Sequence, residues 1–68
     1  MNSFVVENLA RIYAIQAEID GMKAENWMRV MQGLTIAYGE ETFLAKSSQL
    51  QQIANHLNEM RNRGLIDS

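Results

Sequence analysis

The chain has no cysteine and no proline, a single histidine and a single tryptophan. Without cysteine there is no disulfide framework, no thiolate zinc site and no thiol nucleophile. One histidine argues against a structural metal as well, and neither a metal nor a cofactor is expected. Uninterrupted apolar runs such as residues 4–6 and 12–15 fall far short of the roughly 20 residues that span a bilayer. No basic region precedes the first apolar residues, which Glu7 and Arg11 interrupt, so no cleaved signal peptide is expected. The default expectation is a cytoplasmic protein with no membrane contact. There is no linker, low-complexity tract or internal repeat. The four glycines, Gly21, Gly33, Gly39 and Gly64, are the only punctuation. They are scattered and none precedes a Lys-Ser/Thr pair, so there is no phosphate loop.

What is present is a 68-residue chain of which 47% is hydrophobic. This allows one domain, near the size at which a single chain struggles to bury enough surface. With no disulfide or metal to compensate, self-association is expected, most simply as a homodimer. The net charge of −2 selects no partner class. Acids outnumber bases through Thr42, and the balance reverses from Phe43 to Ile66 with Lys46, Arg61 and Arg63 against Glu59. Such a gradient is ordinarily a solvated surface.

The stretch 48–64 has the most legible helix pattern. Ser48 and Gln51 have the spacing of a capping box. Leu50, Ile53, Ala54, Leu57 and Met60 form one apolar stripe. Arg61 and Arg63 suit the negative end of the helix dipole, and Gly64 suits a left-handed closing residue. Earlier in the chain, Ser3 is a plausible N-cap, and Val5, Leu9, Ile12, Gln16 and Ile19 recur at helical steps. Phe4, Val6, Tyr13 and Ile15 widen that face beyond what one neighbouring helix covers. The expected oligomer interface is therefore Phe4, Val5, Leu9, Ile12, Tyr13 and Ile19; the alternative is the core helix of a three-helix bundle.

A glycine inside a helix costs about 1 kcal/mol relative to alanine. The apolar pattern resumes beyond Gly21 at Met22, Trp27, Val30, Met31 and Leu34. One helix over about 3–37 is therefore expected, roughly 50 Å long, with a bend or break at Gly21 left open. Glu7–Arg11, Glu25–Arg29 and Glu59–Arg63 are i,i+4 pairs in the favourable order. Residues 34–38 form the most strand-like run but have no strand to pair with. Gly39 reads as the strongest stop, and Glu40 and Glu41 suit the start of a second helix over about 40–63. Either that helix is unbroken, giving a hairpin, or it restarts at Ser48, giving three helices.

Catalytic chemistry has little to work with. Ser47 and Ser48 read as caps, and His56 with Glu59 reads as a solvated pair on a polar helix face. An enzyme is not expected. Met22, Met28 and Met31 cluster around Trp27, which is either a central core residue or an exposed anchor for a partner. The outer face of the last helix is rich in uncharged amides, among them Gln52, Asn55 and Asn58, which can donate and accept toward another surface.

Two resemblances follow from local runs. Residues 53–66, IANHLNEMRNRGLI, resemble the recognition helix and following turn of winged-helix transcription regulators. That resemblance implies Gln51, Gln52, Asn55 and His56 toward the major groove and Arg61 and Arg63 near phosphates. With only Asp67 and Ser68 after this run no wing is expected, the glycine turn of the motif is missing before the helix, and the negative net charge opposes nucleic acid. Residues 15–50 resemble small accessory proteins of bacteriophages and prophages, through AEI-x-GMKAEN and AYGEE-x-F. That resemblance implies a product that binds and modulates a host protein.

The combined expectation is an all-α chain, either a long helical hairpin or a three-helix arrangement, dimerising into a helical bundle. Its expected function is non-enzymatic protein binding by steric occlusion. Trp27, Tyr38, Gln52, Asn55, His56, Arg61 and Arg63 are the candidate partner-binding residues. A small DNA-binding regulator and a purely structural oligomerisation unit are the alternatives.

Overall fold

The structure, a computed structural model, describes residues 3–64. Two helices, α1 (Ser3–Met31) and α2 (Glu40–Asn62), lie antiparallel and are joined by residues 32–39. Among the described residues there is no third helix and no strand.

The first helix passes Gly21 without interruption. A side chain there would meet nothing within 4 Å, so no steric demand calls for a break. The helix stops six residues before the expected 37, because the closing glycine is Gly33 and not Gly39. Gly33 takes φ +76°, its N–H donates to the Val30 carbonyl at 3.0 Å, and the Leu34 N–H donates to the Arg29 carbonyl at 2.8 Å. This double bond pattern around a left-handed glycine is the Schellman closure. Gly39 instead precedes α2 with φ −91° and extended backbone, and Glu40 and Glu41 occupy the first turn. There their charges complement the helix dipole.

The second helix runs through Ser47 and Ser48 without restarting, which gives the hairpin and not the three-helix alternative. Ser48 therefore lies mid-helix and exposed, and the capping-box reading of Ser48 and Gln51 does not hold. Gln51 donates through Nε2 to Asn55 Oδ1 at 2.9 Å instead. The C-terminal end closes as its sequence suggests: Gly64 takes φ +72° and donates to the Arg61 carbonyl at 2.9 Å.

The seam between the helices follows alternating three- and four-residue steps on both sides. On α1 it runs through Val5, Asn8, Ile12, Ile15, Ile19 and Met22; on α2 through Phe43, Lys46, Leu50, Ile53, Leu57 and Met60. That is the heptad pattern of a two-stranded coiled coil. Ile15, Met22 and Ile53 are the buried apolar residues of this seam, and most of its other positions are half-buried. Polar residues punctuate it. Buried Asn8 donates to the Phe4 carbonyl at 2.8 Å, and Lys46 pairs with Glu18 across the helices. Such groups favour one register over slipped alternatives. The hairpin measures 52 × 20 × 12 Å, so it is one helix thick.

Candidate functional site

The bend is the most elaborately tied part of the molecule. Asn26, in the last turns of α1, sits seven residues beyond Ile19 and so continues the seam register. Its Oδ1 accepts the N–H groups of Ala37 at 3.0 Å and Tyr38 at 2.9 Å. Its Nδ2 donates to the Tyr38 carbonyl at 2.7 Å. One turn on, Arg29 Nε donates to the Thr35 carbonyl at 2.8 Å, while its guanidinium lies 3.8 Å from Glu25. Two side chains of α1 thereby satisfy backbone groups along a loop that lacks a ladder of its own.

This frame holds apolar side chains in solvent. Leu34 and Ile36 on the bend are each about half exposed, and Leu44 on the first turns of α2 is 58% exposed. Toward the same end of the hairpin, α1 carries Trp27, 65% exposed, with Met28, Val30 and Met31. Single exposed apolar residues are ordinary, whereas several gathered at one end of a fixed backbone are the usual mark of a contact surface. Tyr38 is half-buried and lines an open groove of about 460 Å³ with Glu18, Gly21, Met22, Thr42 and Lys46.

The other residues singled out from the sequence are placed as follows. Phe4, Val5, Leu9, Ile12 and Ile19 are half-buried within the hairpin, and Phe4 packs edge-to-face on His56 with ring centroids 5.1 Å apart. Tyr13 points away from the seam and is 72% exposed. Gln52 and His56 come together in a second, smaller groove with Asn8, Arg11, Gln49 and Ile53. Asn55 is exposed and engaged by Gln51. Arg61 donates to Asn58 Oδ1 at 2.7 Å, and Arg63 lies 3.7 Å from Glu59. The amide face of α2 thus bonds partly to itself. It lies along the opposite helix from Trp27, and Arg61 and Arg63 sit at the far end of the hairpin from the bend. The structure therefore brings Trp27 and Tyr38 to one end and separates them from the two arginines.

Sequence reasoning overlooked Asn26, Arg29 as a loop ligand, and the pair Leu34 and Ile36. Asn26 had one available signal, a polar residue falling on the apolar register of a helix.

Among the described residues no helix is long and apolar enough to cross a membrane, and no three His, Cys, Asp or Glu side chains gather as metal ligands would. Comparison of the chain with protein-family models, curated proteins and solved structures finds no match.

Proposed function

We propose that this chain is a non-enzymatic protein-binding module that self-associates and uses its bend to cover a surface on a partner protein. The observation that carries the reading is the exposure of Leu34, Ile36 and Leu44 around a loop whose backbone is already fixed by Asn26 and Arg29. A loop ordered before binding pays less entropy on binding, so a small apolar patch yields more affinity than it would on a mobile segment. Apolar contact at the centre with Glu40 and Glu41 at its edge matches the usual layout of a protein interface, an apolar core with a polar rim. The resemblance of residues 15–50 to phage accessory proteins supports a host protein as the target and modulation by occlusion as the mode of action.

The test is a photoreactive benzophenone side chain placed at Ile36 in one variant and at Asn58, on the outer face of α2, in another. Irradiation in host lysate is expected to give a heterologous adduct from position 36. Excess unlabelled wild-type chain should compete it away, and a Leu34→Glu/Ile36→Glu double variant should not. Adducts only to a second copy of the chain would leave the structural oligomerisation unit as the function. The same adduct from position 58 would move the contact to the amide face.

A further inference from the structure

We infer that the outer face of α1 is a second helix seam, and that its occupant is the same face of a second copy, running antiparallel. This deepens the self-association proposed above by naming the face, the direction and the register.

The two helices are unequal. Exposed large apolar side chains on α1 are Val6, Tyr13, Trp27, Met28, Val30 and Met31, whereas on α2 the exposed large apolar residue is Leu44. The outward face of α2 carries amides, as a helix that meets water on that side would. The outer residues of α1 are also ordered. Positions 6, 10, 13, 17, 20, 24, 27 and 31 advance by alternating steps of four and three, and they read Val, Ala, Tyr, Ala, Asp, Ala, Trp, Met. That is a second heptad repeat on the same helix. At about 100° per residue it lies roughly 150° around α1 from the seam with α2.

The order of sizes selects the occupant. In an antiparallel coiled coil each layer pairs one of the two heptad core positions with the other. About an axis between Ala17 and Asp20, Trp27 of one copy falls on Ala10 of the other, and Tyr13 falls on Ala24. Val6 falls on Met31, and Ala17 on Asp20. The two aromatic residues thus each meet an alanine. A parallel pairing would set Tyr13 on Tyr13 and Trp27 on Trp27, with alanine layers left loose between them. Interfaces pack to interior density, so the self-complementary direction is the antiparallel one.

The flanks agree with this register. Val30 of one copy comes beside Leu9 of the other, and Ala14 beside Gly21. Gly21 has no neighbour within 4 Å of where its Cβ would be in the hairpin. Opposite Ala14 of a second copy it keeps that flank of the interface free of bulk. Tyr13 is 72% and Trp27 65% exposed, and aromatic side chains bury about 150–250 Å² each, so with Val6, Met28, Val30 and Met31 around them the face approaches the roughly 800 Å² per partner of a standard interface. Asp20 is the one discordant residue. It faces Ala17 of the other copy, and the axis sets the two Asp20 carboxylates in adjacent layers, where their like charges oppose pairing.

The chain has no cysteine, so engineered thiols report without background. Val6→Cys and Met31→Cys chains would be oxidised separately and after refolding as an equimolar mixture. Disulfide-linked dimers are expected from the mixture and not from either chain alone, since a disulfide needs Cα atoms within about 7 Å. Linked dimers from each chain alone would establish parallel pairing and overturn the proposal. Failure to link in the mixture, with sedimentation equilibrium still showing a dimer, would place the interface on another face. A monomer at all concentrations would refute self-association itself, and the photocrosslinking result at the bend would be unaffected. Ala17→Glu, at an exposed position of the hairpin, is expected to raise the dimer dissociation constant at least tenfold. Asp20→Leu is expected to lower it at least tenfold, a gain that a chain merely damaged in folding would not show. If neither substitution moved the constant, the proposed face would be wrong.

Discussion

Asn26 spends its whole amide on backbone that lies 11 and 12 residues away, taking two N–H groups and giving one. No local rule of helix propensity foretells this, because the partners meet the side chain only once the chain has turned. Asn26→Ala should cost about 1–3 kcal/mol, as partly buried backbone groups lose their partners. Denaturant unfolding would measure the loss. Amide hydrogen exchange should show it confined first to Ala37 and Tyr38, with the middles of both helices still protected. Uniform loss of protection along α1 would mean that Asn26 supports the helix and not the bend. Arg29 was half legible: its pairing with Glu25 follows from spacing, but its bond to the Thr35 carbonyl depends on the loop's path. The same holds for Glu59 and Arg63, which do pair. Glu7 and Arg11, equally spaced, form no ion pair among the described residues. Exposed i,i+4 pairs are worth so little that spacing alone does not ensure them.

At the scale of elements, periodicity carried the two helices and glycine carried their ends, with one glycine misassigned. The stop fell at Gly33 instead of Gly39 because the apolar pattern continues through Leu34 and Ile36, and those residues serve the surface of the bend. Ser48 misled for a related reason: the capping-box spacing also occurs inside helices, and nothing local distinguishes the two cases. The expected oligomer face over residues 4–19 mixed two faces. Five of its six chosen residues lie half-buried within the hairpin, and Tyr13 lies outside it. Gly21 and Gly33 should respond to alanine in opposite directions. Gly21→Ala is expected to stabilise the chain by about 0.5–1 kcal/mol, since the backbone is helical and the space open. Gly33→Ala should cost about 1–2 kcal/mol, because φ is +76°. Thermal unfolding of both variants would check the signs. A destabilised Gly21→Ala would show that the glycine is needed for an approach closer than a methyl group allows.

At the scale of the whole molecule, the decisive property is thickness. A slab of 52 × 20 × 12 Å has a single layer of helices, with Ile15, Met22 and Ile53 as its buried apolar residues. Domains of this size gain stability by adding a covalent staple, a metal or a second chain. With no cysteine available and the exposed apolar surface concentrated on α1, a second chain against α1 is the addition this sequence favours. Pairing on that edge would produce a row of four helices, α2–α1–α1–α2, with the two bends at opposite ends. It would not produce the compact four-helix bundle that composition alone suggests. Both bends would then stay open to partners while Trp27 is taken up between the copies.

Small-angle X-ray scattering from the purified chain tests this arrangement most directly. The expected particle keeps the 52 Å length and 12 Å thickness of one hairpin and reaches about twice its 20 Å width. A dimer with the 20 Å width retained and the thickness doubled would mean that the hairpins stack on their broad faces, and it would contradict the proposed second seam on α1.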